Sequence, residues 1–161
     1  MFETVFIKNE ADKTLTIERQ FAASKEKVWT AWTDSKILEK WWAPEPYKAV
    51  TESFSFTEGG KWHYYMAGPN NEKHWSMMEY ESINPQDNFT AWDSFADDKG
   101  NRNTTMPVSQ FKTEFIEKEG QTRVKTVIIF KDVASMNQLM EMGMAEGLAM
   151  GHRQLDAVLA Q

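Results

Sequence analysis

At 161 residues the chain has the length of one domain, burying roughly 70 % of its unfolded surface, and too few residues for a second independent core. Its 24 acidic against 18 basic residues leave a net charge of -6, which disfavours a nucleic-acid backbone or an anionic membrane surface as partner. With no cysteine there is no disulfide framework, thiol nucleophile or thiolate metal site.

Residues 1–13 carry no signal-peptide pattern, and no run approaches the ~20 apolar residues that span a bilayer, so no membrane insertion and a cytoplasmic location are expected. Leu15, Ile17 and Phe21 share one strand parity and Thr16, Glu18 and Gln20 the other, the pattern of a half-buried strand whose apolar face Arg19 interrupts. Ser24 suits an N-cap, and Val28, Trp29 and Trp32 follow at helical spacing, giving a helix of about two turns. Asp34 or Ser35 starts a second helix with Ile37, Leu38 and Trp41 on its buried side, stopped by Pro44 and Pro46.

Six further strands are predicted at residues 50–56, 61–66, 75–83, 89–95, 109–117 and 122–130, separated by Gly-, Pro- and Asn-rich turns. Their short connections imply an antiparallel meander, and with the first strand they make a seven-stranded sheet. The polar stretch 97–107 is expected to be a mobile loop. Met136, Met140, Met144, Leu148, Leu155, Val158 and Leu159 then form one helical stripe, with Ser135 and Gln138 as a capping box, so one long C-terminal helix is expected across the sheet. Gly143, Gly147 and Gly151 each cost that helix about 1 kcal/mol relative to Ala. They allow close approach of the backbone, form a joint between two helices near Gly143, or leave room for a ligand.

Four stretches, in order, carry a family signature: residues 17–42, with VWTAWTDSKILEKWW at 28–42; FTEGGKW at 56–62; YESINPQDNF at 80–89; and the closing segment 146–159. On these the chain resembles the START-like (SRPBCC, helix-grip) superfamily and, within it, the branch named for the activator of a heat-shock chaperone's ATPase. Ser24 stands where that family often has Pro, and Leu148 where it commonly has Trp. The resemblance implies one α+β domain over 1–161. Its curved sheet grips the long C-terminal helix, the two short helices close one end, and a pocket lies between sheet and helix. It implies no single activity, since members bind lipids, sterols, hormones and polyketides, some are cyclases, and the chaperone activator binds a protein.

In such an architecture the expected apolar lining is Trp62, Tyr64, Trp75, Met77, Trp92, Phe111, Met140, Met144 and Leu148, a surface of flat rings and adaptable thioethers suited to a planar or lipid-like ligand. The polar groups expected near it are Arg19, His63, His74, Tyr80 and His152. His63 alternates with Trp62 along one strand, so at most one of the two enters the pocket. No two histidines fall at i, i+3 or i+4, so no metal site is expected, and neither cofactor nor catalytic residue is assigned. Binding of a small hydrophobic ligand in the cavity is the leading reading. A co-chaperone-like module docking on a chaperone or other protein is the second. A cyclase, dehydratase or hydrolase using His63, His74, Tyr64, Tyr65 or Tyr80 in the cavity is the third.

Overall fold

The computed structural model describes residues 2–161. Strand β2 (Thr14–Phe21) alternates buried and half-buried residues without a break, as its period-2 pattern dictates. It does not begin the sheet. A preceding strand, β1 (Val5–Asn9), pairs antiparallel with it, Phe6 opposite Ile17, and raises the expected seven strands to eight. Only Phe6 of β1 is half-buried, so this edge strand has no alternation to announce it.

Two helices follow. In α1 (Lys25–Thr33) the Ser24 hydroxyl accepts from Lys27 N at 3.3 Å, and in α2 (Ser35–Trp41) the Asp34 carboxylate accepts from Lys36 N at 2.9 Å. Strands β3 (Lys48–Phe54), β4 (Lys61–Ala67), β5 (Lys73–Asn84), β6 (Asn88–Phe95), β7 (Ser109–Lys118) and β8 (Gln121–Ile129) then run as an antiparallel meander. The sheet order is β1-β2-β8-β7-β6-β5-β4-β3. One extra residue on β3, between Thr51 and Ser53, and one on β5, between Tyr80 and Ser82, shift the register and bend those strands.

The expected single C-terminal helix is two: α3 (Val133–Glu141) and α4 (Met144–Leu159). Gly143 between them has φ +89°, a left-handed conformation that breaks the helix and that a side chain would strain. The start of α3 also differs, because the Asp132 carboxylate caps it by accepting from Ser135 N at 2.7 Å. The Ser135 and Gln138 pair is not the cap. Gly151 serves close approach: a Cβ there would lie 3.1 Å from the Trp41 carbonyl oxygen, where α4 crosses the end of α2. Gln154, one turn on, donates to the carbonyls of Trp41 at 2.9 Å and Ala43 at 2.8 Å, satisfying acceptors that the end of α2 leaves free.

The core lies between the inner sheet face and the helices. Trp32 and Trp41 meet edge to face at 4.6 Å, Trp29 and Phe115 at 5.1 Å, and the Trp41 indole donates to Ala31 O at 3.0 Å. The loop 97–107 is not loose on the outer face. Asp97 accepts from the Lys99 and Asn101 amides, each at 2.9 Å, and those bonds hold its carboxyl below the usual carboxylate range, Asn101 contributing most. Arg102 pairs with Glu79 at 2.5 Å, and a His63 ring nitrogen lies 2.8 Å from Asp97 O.

Candidate functional site

Register decides which side chains meet beneath the helices. Tyr64 on β4 stands opposite Ser76 on β5, Met66 opposite His74, Ser76 opposite Phe95 on β6, Met78 opposite Asp93, and Ala91 opposite Phe111 on β7. All of these face inward. Above them lie Leu139 of α3, the Met142 to Met144 joint, and Gly147 and Leu148 of α4, with Trp42 and Pro44 closing one side. Together they enclose a pocket of about 260 Å³ whose wall is apolar except for Tyr64, His74, Ser76 and Asp93.

The Tyr64 ring is held from two directions. Trp62 stacks on it at 3.9 Å and 19°, and the Trp42 indole N–H donates to its hydroxyl at 2.9 Å. Burial, with the nearby Asp93 charge second, raises the pKa of that phenol well above its ordinary value, so it stays a neutral donor. Asp93 sits half-buried in the pocket wall, and burial alone pushes its carboxyl up to about 7. Among the described residues its carboxylate makes neither hydrogen bond nor ion pair.

A second, smaller void of about 30 Å³ lies deeper, lined by Ile17, Trp62, Tyr80, Phe111, Leu148 and His152 among others. It is sized for a water molecule or two, a water needing about 10–15 Å³ by this measure. His152 is buried, its Nδ1 2.9 Å from Thr4 Oγ1 and its ring edge to face with Phe21 at 5.6 Å. Burial first, then the Arg19 charge, depress it to about 3 against a smaller opposing pull from Asp156, so the ring is neutral at physiological pH. Burial likewise raises the Tyr80 phenol above its ordinary value.

The predicted site residues therefore divide. Tyr64, Phe111, Met144, Leu148 and His74 line the larger pocket, His74 at its exposed rim with its ring 5.7 Å from Tyr47. Trp62, Tyr80 and His152 line the deeper void, and Met140 packs half-buried against the core without lining either space. Trp75, Met77 and Trp92 were expected inside and stand on the outer face, as do His63 and Tyr65. There Trp75 stacks on His63 at 4.8 Å, Met77 lies opposite His63 and Ser94, and the Trp92 indole donates to Glu81 at 3.1 Å. Arg19 faces inward but is engaged, reaching Asp156 of α4 with two bonds of 2.9 and 2.5 Å and Gln20 O at 2.8 Å.

Asp93 and Ser76 were missed. The sequence did hold a signal for the first, because Phe89, Ala91, Asp93 and Phe95 share one parity of β6 and a carboxylate among three apolar residues marks an inward acid. The bulk of Trp92 on the opposite parity masks it. Among the described residues no group of three His, Cys, Asp or Glu is placed to hold a metal ion, and no helix is long and apolar enough to cross a membrane.

No curated protein matches the chain. Among solved structures it is similar to protein Ms6760 from Mycobacterium smegmatis, with 32% identity, TM-score 0.89, and 98% of this chain and 96% of that one covered. A protein from Arthrobacter aurescens gives 32% identity and TM-score 0.91 over 97% of this chain and 91% of that one. One from Staphylococcus epidermidis gives 26% and 0.86 over 98% and 94%. The family model described as Activator of Hsp90 ATPase homolog 1-like protein matches residues 22–160, nearly the whole chain from the end of β2 to the end of α4. With that match and two structural relatives at 32% identity, the chain belongs to the family of Activator of Hsp90 ATPase homolog 1-like proteins.

Proposed function

We propose that the protein binds a small, largely hydrophobic ligand between the inner sheet face and the α3–α4 joint. The observation that supports this best is the pocket of about 260 Å³, apolar over most of its wall with a few polar groups converging on one side. An apolar cavity of about 150 Å³ holds benzene, so this one suits a molecule of one or two rings or a short branched chain better than a long acyl chain. Gly147 contributes to the room, since a Cβ at that position would meet only Pro44 Cγ at 3.7 Å.

Native mass spectrometry of gently purified protein tests the reading. A stoichiometric small-molecule adduct that Leu148→Trp abolishes, with the domain still folded, is the expected result. A clean ligand-free mass, with no rise in melting temperature across an aromatic and lipid library, would overturn it. The co-chaperone-like reading has one observation in its favour: Val5 and Ile7 stand exposed side by side on the outer face of the edge strand β1. Partner binding through that strand would survive Leu148→Trp and fail on Ile7→Lys.

A further inference from the structure

The charges around the pocket are arranged asymmetrically. Its lining includes one carboxylate, Asp93, and no lysine or arginine. Among the described residues Arg19 is the only buried Lys or Arg, and Asp156 already takes both of its terminal nitrogens. Asp93 is thus a carboxyl in a mostly apolar wall with no lysine or arginine beside it among the described residues, sharing that wall with Ser76 and Tyr64.

We infer that the pocket selects a ligand bearing a cationic amine, with the ammonium group against Asp93 and the apolar body against Phe95, Phe111 and Leu148. The inference rests on the pocket reading above and adds the ligand's charge. A carboxylate paired with an ammonium in low dielectric gains a charge-assisted hydrogen bond, and Tyr64, Phe95 and Phe111 on the same wall are aromatic residues of the kind that attract a cation near a ring face. An anionic ligand such as a fatty acid would set like charges together where water screens them little. Burial drives the Asp93 carboxyl up to about 7, a shift that an incoming cation opposes by favouring the ionised form. Tyr64 and His74 are the other titratable groups on the wall; the Tyr64 phenol is held neutral by burial and an imidazole carries no negative charge, so neither is a second anion competing for the amine.

The test is a series on one skeleton, 2-phenylethylamine, 2-phenylethanol and phenylacetate, titrated into the isotopically labelled protein by NMR. The expected order is amine, then alcohol, then carboxylate. The amine should lead the alcohol by about tenfold to a hundredfold, with shifts concentrated at Ser76, Phe111 and Gly147. In Asp93→Asn, nearly isosteric, the lead should collapse to within about threefold while the alcohol still binds. Alcohol binding as well as amine in the native protein, or a lead that survives Asp93→Asn, overturns the charge assignment and leaves the pocket standing. No binding by any of the three at millimolar concentration, together with a ligand-free native mass, overturns the pocket and the charge assignment together.

Discussion

Asp93 and His152 are both ionisable groups whose charged forms the same interior disfavours, and they couple folding to pH in opposite senses. The folded state raises the Asp93 constant from 3.8 to about 7, so its contribution is fully present below pH 3.8 and is lost as pH rises through 7. The folded state depresses His152 from 6.5 to about 3, so its contribution is present above pH 6.5 and is lost as pH falls towards 3. Between about pH 4 and 6.5 the two slopes oppose each other and the native protein shows a flattened profile. Single variants separate them. Asp93→Asn should be more stable than the native protein, by a margin that grows from pH 4 to 7 and then levels off. Its slope is capped at about 1.4 kcal/mol per pH unit, the value for one proton, and water reaching the carboxyl at the pocket mouth narrows the pH range over which the margin grows. His152→Asn should lose less stability than the native protein on acidification from pH 6.5. Urea unfolding at four pH values reads both. Asp156→Asn asks a different question, since it leaves a wholly buried guanidinium without its counter-charge. A loss of about 3 kcal/mol is expected, the lower part of the range for a broken buried pair because Asp156 is itself part-exposed.

At the scale of the element, three glycines spaced four residues apart do three different things. Gly143 breaks the helix, Gly147 borders the pocket, and Gly151 lets α4 touch the end of α2. Alanine should therefore act with opposite sign at neighbouring turns. Gly147→Ala should raise stability by about 0.5–1 kcal/mol through helix propensity alone, its methyl in ordinary contact with Pro44. Gly151→Ala should lower stability, because its Cβ would press at 3.1 Å on a backbone carbonyl that cannot step aside. Thermal melts of the two variants decide. The break near Gly143 was among the alternatives legible from spacing, and so were α1 and α2, because Ser24, Asp34 and Pro44 punctuate them with local chemistry. Strand β1 was not legible, since it is exposed on both faces apart from the half-buried Phe6, and a strand with no buried face need not alternate. Facing was the other loss. In β4 and β5 both parities carry large side chains, Trp62 and Tyr64 against His63 and Tyr65, Met78 and Tyr80 against Trp75 and Met77, because the loop 97–107 buries part of the outer face as well. Hydrophobicity alone cannot orient a strand covered on both sides.

Across the whole molecule, the family match and the strand order account for the architecture, while the functional reading depends on a single carboxylate and the space around it. The strand order has a kinetic side too. β2 lies between β1 and β8, its register joining Thr14 to Ile129 across most of the chain. Contacts so distant along the sequence must close a large loop before they stabilise anything, so refolding is expected in milliseconds to seconds, read by stopped-flow fluorescence of the tryptophans. On a ribosome adding about 5–20 residues per second, the β1–β2 hairpin waits on the order of ten seconds for its neighbour. During that interval the segment bearing Trp29, Trp32, Trp41 and Trp42 has no sheet beneath it, because Phe115, which packs against Trp29 and Trp32, belongs to a strand not yet made. A nascent chain of this protein is thus, for seconds, an exposed aromatic surface of the kind that holdase chaperones bind.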